Sequence, residues 1–140
     1  VVIKYTDKFN QFLNEIENDS LLNSWQVLDK YLSAFVEISN SKIKICLCGT
    51  LGGEFLTLPR ELQVEVKKFF DINLSFLEKI LKKGFKNSEF YLSDSPKSIA
   101  NKIFASLEGG LIIARSKNST DHYFAIIKTI KSSLKQPKQL

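Results

Sequence analysis

The 140-residue chain has no methionine, one histidine, one tryptophan, two cysteines and three prolines. Each scarcity excludes something. A lone His122 and two cysteines cannot supply a Cys/His ligand set at metal-site spacing. Cys46 and Cys48 are two residues apart, so on a helix they point to different sides and cannot easily bridge. They read as reduced core thiols of a cytoplasmic protein. With only six glycines besides, the chain is neither disordered nor fibrous. No apolar run approaches the roughly 18 residues of a membrane span. Lys4, Tyr5 and Asp7 interrupt the first apolar residues, which excludes a signal-peptide pattern. The missing methionine, and a helical pattern already running through Val1-Val2-Ile3-Lys4-Tyr5, suggest a piece of something longer.

Reactive constellations are equally scarce. His122 opens a helix with no serine or cysteine beside it in a nucleophile setting, and reads as a surface or interface residue. Glu61 and Glu65 are one helical turn apart but flank a lysine-rich, solvated face. Gly49, Gly52 and Gly53 follow no strand and precede no Lys-Ser or Lys-Thr pair, so they are no phosphate loop. No acid, base or nucleophile set is present, and the expectation is a protein that is not an enzyme and holds no cofactor or metal. The net charge of +5 is uneven, with twelve basic and four acidic side chains in residues 79–140. Lysines spaced along helices without interleaved aromatics and arginines read as a solvated face, not a nucleic-acid surface.

What is present is helical periodicity. The chain is 44% hydrophobic with eleven phenylalanines, which favours a single all-α domain over 1–140. Residues 1–17 carry a stripe at Tyr5, Phe9, Phe12, Leu13 and Ile16. Asn18-Asp19-Ser20 offers a stop and a cap for a second helix over 21–39, striped at Leu21, Leu22, Trp25, Leu28, Leu32, Phe35 and Val36. A short apolar segment at 44–56 holds three glycines and Glu54, a charge that needs a partner or faces a ligand cavity. Pro59 opens a long amphipathic helix over 59–83, with Gly84 as its stop. A loop over 85–95 has its own anchors, Phe85, Phe90, Tyr91 and Leu92. Asp94 or Ser95 then caps a helix over 96–116 that begins at Pro96, and a last helix covers 121–134. Six helices and no convincing strand are expected.

The helix over 96–116 organises the rest. Ala100, Ile103, Phe104, Leu107, Leu111 and Ala114 share one face, and small or apolar Ala105, Gly109, Ile112 and Ser116 share the opposite one. A helix apolar on both sides is buried on both. One side is the domain's own core, and the other calls for a partner whose backbone can approach Gly109 and Gly110. The last helix, with Tyr123, Ile127, Ile130 and Leu134 on one edge, supplies a second element of the same surface.

Cys46-Leu47-Cys48-Gly49, Leu58-Pro59-Arg60-Glu61-Leu62 and Leu107-Glu108-Gly109-Gly110, in that order along the chain, together resemble the tetracycline-repressor (TetR) family of transcriptional regulators. Cys46-Leu47-Cys48-Gly49-Thr50-Leu51-Gly52-Gly53-Glu54 is similar to that family's C-L-x-G-x-L-x-x-E segment. Leu58-Pro59-Arg60-Glu61-Leu62 is similar to the L-P-x-E-L that opens its next helix. Leu107-Glu108-Gly109-Gly110-Leu111-Ile112-Ile113-Ala114-Arg115 is similar to its L-E-G-A-L-L-L-A-R helix, with Gly110 where alanine is common. The resemblance implies an effector-binding and dimerisation domain whose last two helices pair with those of a second copy as a four-helix bundle. It implies an upstream helix-turn-helix, absent from this sequence, through which a DNA operator is read. The inward stripes then nominate Phe9, Leu13, Phe35, Cys48, Leu51, Phe55, Phe70 and Phe104 around a small, mostly apolar effector. Ala105, Glu108, Gly109, Ile112, Arg115, Tyr123, Ile127 and Ile130 are nominated for the homodimer interface. The alternative is a helical dimerisation or protein-interaction module without a ligand pocket.

Overall fold

The structure, a computed structural model, describes residues 2–40 and 55–137, with side chains from Tyr5 onward. The expected helix at 44–56, with Cys46, Cys48, Leu51 and Glu54, lies outside the described residues apart from its last two positions. The described residues form five α-helices: α1 (Val2–Glu17), α2 (Ser24–Asn40), α3 (Arg60–Lys86), α4 (Pro96–Ser116) and α5 (Asp121–Ser133). A 3-10 turn at Phe55–Thr57 leads into α3, and no strand occurs among the described residues. The all-α class expected from periodicity is the class observed.

α3 is the spine. α1, α2 and α4 pack against it, while α5 lies on α4 and touches α2. Each helix buries one stripe, as 3.6-residue spacing requires. Phe9, Leu13 and Ile16 turn inward from α1, and Val27, Leu28, Tyr31, Leu32 and Phe35 from α2. α3 contributes Val66, Phe69, Phe76, Leu77, Ile80 and Leu81. α4 buries the face read from sequence: Ala100, Ile103, Phe104, Leu107, Leu111 and Ala114.

Two boundaries differ from expectation by more than one residue, each for a local reason. The second helix starts at Ser24, and Leu21 before it is 89% exposed. Asn23 and Gln26 exchange side-chain bonds with each other's backbone N–H (2.9 and 2.8 Å), a reciprocal cap that sets the start three residues later. α3 runs through Gly84 to Lys86. Gly84 does not stop the helix; it clears space for a ring, since a Cβ built there would lie 2.8 Å from Phe90 Cγ and closer still to Cδ2. Phe85, expected as a loop anchor, is therefore on the last turn of α3 and 60% exposed. At α4 the sequence reading holds: Ser95 Oγ accepts from Ser98 N (3.1 Å) and Pro96 occupies the first turn.

Candidate functional site

Two places in this fold carry the residues nominated from sequence. The first is the core between α1, α2, α3 and α4. Phe9, Leu13, Phe35, Phe70 and Phe104 meet there, joined by Tyr5, Tyr31, Phe69 and Phe76. Phe9 lies 5.9 Å from Phe35 and 5.3 Å from Phe69, centroid to centroid. Phe104 lies 6.5 Å from Phe35 and 5.6 Å from Phe70. Edge-on and tilted contacts at these spacings are favourable packing for rings. Phe55 stands apart from the cluster, half-buried, with the Lys67 ammonium 5.7 Å from its ring centroid. Cys48 and Leu51 lie outside the described residues.

Sequence reasoning missed a polar nucleus within these rings. Tyr31 Oη donates to Asn73 Oδ1 (2.7 Å), and Asn73 Nδ2 donates to the Phe69 carbonyl (2.8 Å). Both side chains are fully buried, as is Thr6. Buried polar groups are tolerable when bonded. The signal was legible in principle, because Asn73 sits on the Val66-Phe69-Phe76 stripe of α3 where an apolar residue belongs. None of the four clefts found on the described residues is lined by the ring cluster.

The second place is the outer face of α4 and α5. A groove of about 520 Å³ runs between them, lined by Ile99, Ala105, Gly109, Ile113, Ala125 and Ile126 among others. His122 and Lys102 are its titratable side chains. Beside it on α4, Ile112 is 57% and Ile113 40% exposed. Exposed apolar side chains beside an apolar groove mark a contact surface more often than chance.

The two glycines of α4 divide here. A Cβ at Gly110 would lie 2.7 Å from Ile126 Cδ1 and 3.1 Å from Tyr123 Cε1, so the α4–α5 contact itself requires that glycine. A Cβ at Gly109 would meet nothing within 4 Å. Glycine inside a helix costs about 1 kcal/mol relative to alanine, and the protomer's own packing gives no return for it at Gly109.

The nominated interface residues separate accordingly. Ala105, Gly109 and Ile112 lie on the outer face. Tyr123, Ile127 and Ile130 do not: they are at most 8% exposed and belong to the protomer's own core, with Tyr123 Oη donating to the Leu107 carbonyl (3.2 Å). A thirteen-residue helix cannot turn one stripe both ways, and α5 spends this one inward. Its exposed residues include Phe124, Ala125 and Thr129, none of which the sequence reading nominates for the interface. Arg115 lines a different cleft, of about 730 Å³, with Asp121 and the end of α2. Glu108 is half-buried and lines neither cleft. Among the described residues no group of three or more His, Cys, Asp or Glu side chains could hold a metal, and no helix is long and apolar enough to cross a membrane.

No family model matches the sequence, and no curated protein does. Solved structures do. A TetR transcriptional regulator from Legionella pneumophila is 29% identical, with a TM-score of 0.83 over 96% of this chain and 70% of its own. A TetR-family regulator from Agrobacterium tumefaciens is 20% identical, with a TM-score of 0.87 over 96% of this chain and 71% of its own. Escherichia coli NemR in its reduced form is 18% identical, with a TM-score of 0.85 over 99% and 72%. The last two show the fold alone, and the first adds sequence likeness over nearly the whole chain. These neighbours are regulators of transcription, not enzymes. In fold, and over nearly its whole length in sequence as well, the chain is similar to TetR-family transcriptional regulators.

Proposed function

We propose that this chain is the regulatory, homodimerising part of a ligand-responsive TetR-like repressor. Its outer α4–α5 face meets the same face of a second copy to form a four-helix bundle. The observation that carries this reading is Gly109: a helix-weakening residue with open space above it, beside exposed Ile112 and Ile113. A helix from another molecule crossing close at that point would use the missing Cβ. Self-complementary pairing about a twofold axis is the commonest way a soluble protein covers such a face. Operator DNA would be read by an upstream domain, in the cytoplasm, and not by these helices. Gly109→Arg and Ile112→Asp are expected to give monomers by light scattering coupled to gel filtration. Variants that remain dimeric would show that another face pairs.

A small, mostly apolar effector is proposed for the ring-lined core, with Phe9, Leu13, Phe35, Phe70 and Phe104 around it and Cys48, Leu51 and Phe55 contributed from the adjoining segment. Its binding would favour one of two spacings of the DNA-reading heads, which is allostery by differential affinity. One observation favours a second reading, a dimerisation or protein-interaction module without a ligand: the rings already pack against one another at 5–6.5 Å. Aromatic probe compounds titrated into the protein, followed by NMR of the phenylalanine rings, separate the two. Shifts at Phe9, Phe35 and Phe104 support the effector site, and their absence across a varied set supports the module.

A further inference from the structure

The segment joining α3 to α4 is built unlike a simple connector. Ser88 takes a left-handed conformation (φ 59°), which a residue with a Cβ adopts at a cost. That turn folds the chain back over the end of α3, so that Glu89 N and Phe90 N both donate to the Gly84 carbonyl (2.7 and 3.1 Å). Phe90, 2% exposed, then lies on the bare backbone of Gly84.

From this position the segment holds two other elements. The Glu89 carboxylate accepts from Ser24 N (3.0 Å) and Ser24 Oγ (3.2 Å) in the first turn of α2, where the helix dipole favours an anion. The Glu89 carbonyl accepts from Trp25 Nε1 (2.8 Å), and the Trp25 ring meets Phe90 edge-on at 4.8 Å. On the other side Tyr91 N donates to the Leu134 carbonyl just past α5 (2.8 Å). A second tie spans the same two helices, from Lys131 Nζ on α5 to Asp29 Oδ1 on α2 (2.6 Å). Strain, a glycine beneath a ring, a half-buried carboxylate spent on one serine and an indole N–H thus converge on three residues.

We propose that residues 88–91 form a conformational latch that makes the amino end of α2, the carboxyl end of α3 and the carboxyl end of α5 one mechanical unit. Anything that displaces α5 from outside must then displace α2, and a shift of α2 reaches α5 without passing through the ring-filled core. The latch rests on contacts within one protomer and stands whether or not the effector and dimer readings do.

Hydrogen exchange followed by mass spectrometry tests it on the full chain, comparing wild type, Asn23→Ala and Glu89→Ala. Asn23→Ala removes only the local cap, and exchange is expected to rise in residues 24–28 alone. Glu89→Ala is expected to raise exchange about tenfold in residues 24–28 and also in residues 130–135, forty residues away in sequence, as the loss of a charge-assisted bond pair implies. Should Glu89→Ala unfold the protein, Trp25→Phe keeps the ring contact and removes one bond, and the same two segments are expected to respond more weakly. A rise confined to residues 24–28 in every variant that folds would reduce Glu89 to a distant helix cap and overturn the latch.

Discussion

Gly84→Ala is a substitution whose sign depends on which physical effect governs the site. Helix propensity alone says that it stabilises: Gly84 is inside α3, and alanine there is worth about 1 kcal/mol. The packing says the reverse. The new Cβ would lie 2.6 Å from Phe90 Cε2, 2.8 Å from Cγ and nearer still to Cδ2, below any distance real Cβ atoms keep. The obstacle is not the tip of a flexible chain. Phe90 is held from behind by the Trp25 edge at 4.8 Å and by its own N–H to Gly84, so the ring cannot simply swing away. Overpacking of this kind costs about 1–3 kcal/mol, and a pinned ring places it near the upper end. The net expectation is a loss of about 1–2 kcal/mol, or roughly 4–8 °C in Tm for a chain of this length. Urea unfolding followed by far-UV circular dichroism measures it. Phe90→Leu in the same chain should relieve the clash, with a coupling of at least about 0.5 kcal/mol in the double-mutant cycle. A Gly84→Ala protein more stable than wild type would refute the packing argument and return Gly84 to the role of a tolerated helix defect.

Three further outcomes follow from named contacts. Tyr31→Phe takes the hydroxyl donor from fully buried Asn73 Oδ1 and should lower stability by about 1–3 kcal/mol in the same urea assay, although the ring and its packing survive. Ser88→Gly relieves a left-handed residue with a Cβ; set against the extra chain entropy of glycine, it should raise stability by about 0.5–1 kcal/mol, readable as a higher denaturant midpoint at unchanged slope. Lys131→Met removes a tie whose partners are 37% and 49% exposed, and should change stability by less than about 1 kcal/mol, the loss shrinking in high salt.

Periodicity read the helices well because each one buries a single stripe, and a stripe is a property of local sequence. Periodicity turns Phe9 and Leu13, Leu28 and Phe35, and the face from Ala100 to Ala114 inward, and all are buried. Caps were less legible: the sequence leaves Asp94 or Ser95 for α4, where Ser95 serves, and offers Asn18-Asp19-Ser20 for the second helix, where the Asn23–Gln26 exchange serves instead. Glycine was the least legible residue. The same side chain, or lack of one, reads identically at Gly84, Gly109 and Gly110, and only the neighbours distinguish them.

The amino-acid sequence thus determined on its own the all-α class, the inward faces of α1, α2 and α4, and the likeness to the TetR family, because these follow from residue order along one chain. Tertiary structure alone decided which residues face outward on α5, where one stripe had two possible uses and Tyr123, Ile127 and Ile130 went to the core. It alone left Phe124 exposed, closed the rings around the Tyr31–Asn73 pair, and gave Gly84 a ring, Gly110 a neighbouring helix and Gly109 open space. These depend on what stands opposite each residue across contacts far apart in sequence, and periodicity carries no record of that.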